Sequence, residues 1–380
     1  MLSRPRDLPA KPVWAVLIAL VLIASACENS TDRAGHGRVL TRLAPVSQLA
    51  TNPSNYFGLA WLPNGKLVVN RDAPGKDVRA ELWLLDPNTG EFAPIDLRTP
   101  STCLKADYHA PITLPDGRLG VVLECSFKIK DRLPGVAMSL VTASLKSGLT
   151  RPLITDESWQ QRTGGFAVAE DMTEALVALG DELCGTVALI DREGIQPLDV
   201  TVGGGGATWN LASYFGLVEE DDSCWAQGRA ASPAWSPEAG AAFFASPQSA
   251  GVEGLMRVDV PWNLYLMKPL GTDLRLLIEN VRYPHSLTWS PSGEWLLFVG
   301  QPRGQSLGAW LYSMRAQTLV RIADAGVGGF TWSREGDQAA AIEGVSATKP
   351  SPLSRLVILD LSRIDLGELN RPGFLGGSNP

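Results

Sequence analysis

A short turn flanked by two apolar runs recurs along this chain, and that recurrence constrains the fold more than any other feature. Its clearest copy is LTWSPSGEWLLFVG at 287–300, where Ser290, Pro291, Ser292 and Gly293 separate a run ending in Trp289 from one beginning at Trp295. Proline fixes φ, glycine accepts φ > 0, and the flanking aromatic and branched residues suit a pleated buried surface, so the stretch predicts a β-hairpin. Equivalent stretches stand at 57–69, 109–123, 165–179, 232–245 and 328–342, giving six units. The positions matching Trp289 are Trp61, Thr113, Ala169, Trp235 and Trp332, spaced 52, 56, 66, 54 and 43 residues apart along the chain. Such a period fits four strands with their loops.

A third strand follows each hairpin, at 81–86, 137–143, 185–191, 263–268, 309–314 and 355–360, and a fourth follows in most units, as in LVRIAD at 319–324. One narrow four-stranded sheet cannot bury both faces, so neighbouring units must stack, with the repeated Trp between them. The expected fold is all-β, a six-bladed β-propeller of four-stranded antiparallel blades over 38–370, with a C-terminal tail at 371–380. Unit six has only a weak fourth strand near Ile364 to Leu369; alternatively, VLTRLAPV at 39–46 completes that blade and closes the ring.

The hairpin signature resembles the WD40-like repeats of the TolB propeller family. Trp235-Ser236-Pro237, Trp289-Ser290-Pro291 and Trp332-Ser333 match the first half of its motif, and Pro115-Asp116-Gly117 matches the second. Unit three departs most, with Ala169-Glu170-Asp171-Met172 at the turn, so its assignment rests on position and flanking strands. The resemblance implies an extracytoplasmic six-bladed propeller and no particular reaction.

The N-terminus carries Arg4, Arg6 and Lys11 ahead of an apolar run at 13–26, too short to span a membrane comfortably. Ile23-Ala24-Ser25-Ala26-Cys27 resembles a bacterial lipobox, in which the cysteine is lipidated after cleavage; ordinary secretion at a nearby small residue is the alternative. The expectation is a signal peptide at 1–26, lipidation of Cys27, a polar tether at 27–37, and a membrane-anchored protein of the cell envelope. A formal charge of −7, with no basic run past residue 12, argues against a nucleic-acid partner.

Loop lengths bear on function. The turns inside the hairpins are short, whereas connections at 125–136, 246–261, 300–308 and 344–354 are longer and emerge with the inter-unit links on the other face. The longest link, 201–234, contains Trp209, Tyr214 and Trp225, either a ligand platform or a packing flap. With Cys27 set aside, four cysteines remain, and topology favours Cys103 with Cys125 and Cys184 with Cys224.

Only three histidines occur, at 36, 109 and 285. His109 and His285 each precede the turn proline by six residues, which places them at matching positions three units apart, facing one another across a central channel. Beside Tyr108, they are the expected ligand contacts at the channel mouth, or else backbone caps. Two histidines without a third ligand make a poor metal site, and no G-x-S-x-G elbow or phosphate loop is present. No catalytic residue, cofactor or metal is assigned. The sequence therefore points to a monomeric module that binds or assists an envelope protein or glycan through its loop-rich face. The alternatives are a carbohydrate-active enzyme at the channel mouth and a structural part of an envelope complex.

Overall fold

The computed structural model describes residues 39–49, 56–72, 80–128, 135–154, 163–179, 186–196, 199–201, 208–210, 229–236, 240–246, 251–252, 255–256, 261–268, 274–346 and 353–364. Among them the chain is all-β, without a helix, and its antiparallel sheets form a propeller-like ring within the body spanning His36–Pro380. Cys27, the signal segment, Tyr214, Trp225, Cys184 and Cys224 lie outside the described residues.

Units one, two and three are four-stranded meanders in sequence order. Unit one consists of Tyr56–Trp61, Leu67–Asp72, Ala80–Leu85 and Phe92–Pro94; unit two of Lys105–Thr113, Leu119–Phe127, Gly135–Ala143 and Thr150–Pro152. Unit three follows with Thr163–Val168, Ala175–Leu179, Thr186–Asp191 and Gly194–Gln196. Units four and five share one eight-stranded sheet, because the long strand Arg275–Trp289 pairs with Trp262–Met267 through its first half and with Trp295–Pro302 through its second. Several strands run further than their apolar cores suggest. The 300–308 connection, for example, is strand as far as Pro302, with a turn between Pro302 and Gly308.

The N-terminal segment divides between two units. Val39–Thr41 pairs in parallel with Leu319–Asp324 of unit five, and Val46–Gln48 pairs antiparallel with Leu353–Asp360 of unit six. The fourth strand of unit six is therefore Val46–Gln48. Ile364 lies in a turn, corrected from the weak strand expected there, because the N-terminal strand already occupies that edge. Likewise 39–46 is not one closing strand: the backbone leaves unit five after the Ala44 N–H bonds the Ile322 carbonyl (2.8 Å) and joins unit six at Val46.

Residue chemistry accounts for the repeated turn. Ser290 N–H donates to Trp295 O (2.9 Å), its Oγ accepts from Trp295 N–H (3.1 Å), and Gly293, at φ 69°, returns a bond to Ser290 O (2.9 Å). Ser333 repeats the arrangement: its Oγ accepts from Gln338 N–H and bonds Asp337. Both serines are 3% exposed, so the hydroxyl is a buried cap on the turn. Unit three closes the same hairpin, Ala169 bonding Glu174 and Met172 taking the left-handed position at φ 57°.

A second repeated device went unread in the sequence. The first strands of units two, four, five and six each break register, and each places a left-handed residue three positions before the Trp site: Ala110, Ser232, Ser286 and Gly329. These are β-bulges, which bend an inner strand and increase its twist.

Among the described residues, six apolar clusters hold the ring, each drawn from two consecutive units. Units four and five share Phe244, Trp262, Trp289, Phe298 and Trp310, and the last cluster joins Ala340, Leu356 and Ile358 of unit six to Leu59, Leu67 and Leu85 of unit one. Trp289 thus packs between units as expected, its indole N–H donating to Ala234 O (3.0 Å) of the preceding unit. Phe243, Phe244, Phe298 and Trp310 are fully buried, each stabilising by about 1.5–3 kcal/mol. Close approach between units one and two requires Gly58, since a Cβ there would lie 2.8 Å from Pro111 Cδ.

Candidate functional site

The first strands of units one, two, three, four and six, and the second half of Arg275–Trp289 in unit five, have a sheet partner on one side only, so the other edge carries unpaired backbone groups. Neighbouring units satisfy some of them with hydroxyls. Trp61 N–H donates to Thr331 Oγ1 of unit six (3.0 Å), Trp61 O accepts from Thr113 Oγ1 of unit two (2.7 Å), and Gly329 N–H donates to Ser286 Oγ of unit five (2.8 Å). The inner strands are thus stitched sideways around the ring.

Where these strands run into their hairpin turns, they line a half-open cavity of about 710 Å³. All six units contribute: Trp61 and Pro63, 112–117, 166–168 with Glu170, 233–236, 287–291 and 330–334. Its wall is neutral, apolar side chains such as Phe166, Leu287 and Phe330 alternating with Thr113, Thr288 and Thr331. Among the described residues, the ionisable lining residues, Asp116, Glu170 and Arg334, are exposed and sit on the turns. Trp332 is 7% exposed and its indole N–H has no partner, unlike that of Trp289.

The histidines occupy the other part of the inner strands. His109 pairs with Val122 and His285 with Val299, each immediately before a left-handed bulge residue, so the two positions are equivalent in their units. Neither lines the cavity. His109 Nε2 lies 4.0 Å from Glu124 Oε2. Burial lowers the His109 pKa below the usual histidine value, partly opposed by Glu124 and Asp107, and Asp107 is itself ion-paired to Lys105. His285 is more exposed; its Nδ1 is 2.7 Å from Ser286 Oγ, the hydroxyl that also holds Gly329 N–H.

Tyr108 is buried and donates to Arg98 O (2.8 Å); burial raises its pKa, opposed by a hydrogen bond with Thr150. It acts as an anchor for the link between units one and two. Trp209 lies on the strand Thr208–Asn210, which forms a small hairpin with Asp199–Thr201. The Cys103 and Cys125 sulfurs are 2.06 Å apart with Cα atoms at 5.3 Å, so this pair lies close together. Among the described residues, no three His, Cys, Asp or Glu side chains come together as a metal site.

Sequence reasoning missed the cavity because it weighed loop length. The signal was present in the alternation of apolar residues with threonine just ahead of the turns, at Ile112-Thr113-Leu114, Leu287-Thr288-Trp289 and Phe330-Thr331-Trp332.

Neither a protein-family profile nor a curated protein matches the chain. Among solved structures it is similar to an α-L-arabinanase of Penicillium chrysogenum in complex with arabinobiose, with 10% identity, a TM-score of 0.50, and coverage of 85% of this chain and 98% of that one. It is also similar to TolB from Acinetobacter baumannii (12% identity, TM-score 0.44, 83% and 65% covered). A gluconolactonase from Xanthomonas campestris gives 12% identity and a TM-score of 0.46, with 86% and 96% covered. At these identities the likeness concerns the fold alone: an all-β, propeller-like ring of antiparallel sheets.

Proposed function

We propose that this chain is a lipid-anchored, extracytoplasmic six-bladed β-propeller that acts as a binding or accessory module for an envelope protein or glycan. The observation that carries the reading is the cavity at the centre of the ring, to which every sequence unit contributes the end of its first strand. A concave site on a rigid scaffold, with apolar walls and a few fixed polar groups, is built to hold a ligand. The count of six is supported by six apolar clusters, each shared by consecutive units, and by the strand Arg275–Trp289, whose two halves serve two blades. The Cys103–Cys125 pair suits an oxidising compartment.

Two experiments test this reading. Cys27→Ser should abolish labelling by a fatty-acid analogue and release the protein from the membrane fraction; labelling that survives contradicts the anchor. Immobilised 38–380 should retain a protein or glycan from solubilised envelopes, competed by the same form free in solution, and no competable retention contradicts the binding role.

A second reading, a carbohydrate-active enzyme, has one observation in its favour. His109, whose pKa burial lowers, has its Nε2 4.0 Å from the Glu124 carboxylate, an imidazole and a carboxylate placed together as proton-transfer groups are. Turnover of a glycan lost in His109→Ala would favour it.

A further inference from the structure

We propose that the hairpin end of the central channel is a site for a short neutral oligosaccharide of two or three rings. This inference rests on the reading of the ring as a binding module and assigns that module's ligand class and its end of the channel.

Size comes first. The cavity of about 710 Å³ lies inside the range of roughly 300–1,000 Å³ typical of small-ligand sites. Charge comes second. Among the described residues the ionisable lining groups stay on the turns at the opening, so a charged group carried inside would lose hydration with no partner of opposite sign, which disfavours uronates and phosphates in the interior.

Hydrogen bonding comes third, and it selects hydroxyls. Thr331 Oγ1 already accepts from Trp61 N–H, which leaves its own proton to donate; Thr113 has committed its proton to Trp61 O, which leaves its lone pairs to accept. Thr288 adds a third hydroxyl on the wall. A ligand must therefore present donors and acceptors at short, irregular intervals around a ring of sites. Sugar hydroxyls serve as both, whereas an extended peptide offers its backbone groups in a line along one edge. The half-buried rings of Trp61 and Trp235 supply apolar faces for the C–H side of a sugar.

The test is calorimetric titration of 38–380 with arabinotriose, xylotriose, cellotriose and maltotriose, alongside digalacturonate and a capped neutral tetrapeptide. At least one neutral trisaccharide should bind. Thr288→Val, which keeps the side-chain shape, should weaken that binding about tenfold, the loss of one good hydrogen bond. Thr288→Trp, which fills the cavity, should abolish it, while Lys146→Ala, on an exposed turn outside the cavity, leaves it unchanged; a thermal melt confirms that each variant is folded. The inference is overturned if no neutral trisaccharide binds, if digalacturonate or the peptide binds better, or if His285→Ala weakens binding and Thr288→Val does not. Competable retention of envelope material together with a failed sugar panel would remove this inference and leave the binding module standing. Failure of both would remove both.

Discussion

Replacing Thr331 by Val removes one hydroxyl and keeps the branched shape, and the structure states what that hydroxyl holds. Trp61 lies on the first strand of unit one, and its N–H and C=O point away from the sheet partner: the N–H goes to Thr331 Oγ1 at 3.0 Å, and the C=O receives Thr113 Oγ1 at 2.7 Å. Without Thr331 the N–H is stranded, at a cost of about 1–3 kcal/mol when no water replaces the lost acceptor. Trp61 lines the cavity and is only half-buried, so water reaches part of the way and the lower end, about 1 kcal/mol, is expected. Thr331→Ser, which restores the acceptor, should recover most of it. The assay is urea denaturation of the 38–380 form followed by tryptophan fluorescence, compared at constant slope. A Thr331→Val midpoint equal to that of the parent, or a Thr331→Ser loss as large as the Val loss, would refute the claim that hydroxyls stitch neighbouring units.

Other perturbations follow from the same geometry. Removing residues 38–49 deletes the bonds made by Arg42, Ala44, Leu49 and Asp360 N–H, at about 1 kcal/mol each, and bares the edge of Leu353–Asp360. Size-exclusion chromatography should show association and denaturation a lowered midpoint. Gly58→Ala forces a Cβ to 2.8 Å from Pro111 Cδ, and should cost about 1–3 kcal/mol by thermal or urea denaturation. The lowered His109 pKa makes a stability contribution that is fully present above about pH 6.5, the unfolded value, and is lost as the pH falls through the lower folded value. The parent should therefore lose stability on acidification below pH 6.5 more steeply than His109→Gln, and an NMR titration of the imidazole should give a midpoint below 6.5.

How far the sequence carried depends on whether a residue's own chemistry dictates the local geometry. The hairpins were legible because proline, glycine and a capping serine are needed at 290–293, and even unit three held its hairpin with Met172 in the left-handed place. Strand order followed from short connections. The bulges at Ala110, Ser232 and Ser286 were illegible, since nothing in alanine or serine calls for φ near 50°; curvature of the inner strand imposes it. The division of the N-terminal segment between units five and six was equally hidden, because VLT and VSQ are too short to reveal a partner. The cavity escaped notice because it is made by convergence of six strand ends, a property of the closed ring that no single unit carries.

Closure of that ring is the claim on which the rest depends, and a cross-link tests it most directly. Ser47 and Ile358 are register partners on the strands that join the N-terminal segment to unit six. A Ser47→Cys, Ile358→Cys form of 38–380 should oxidise readily to an intramolecular bond, read as a joined peptide in a non-reduced digest, and the bond should raise the unfolding midpoint. A pair that stays reduced, or that cross-links no better than Ser47→Cys with Asp324→Cys on unit five, would contradict closure of the ring by the N-terminal strand.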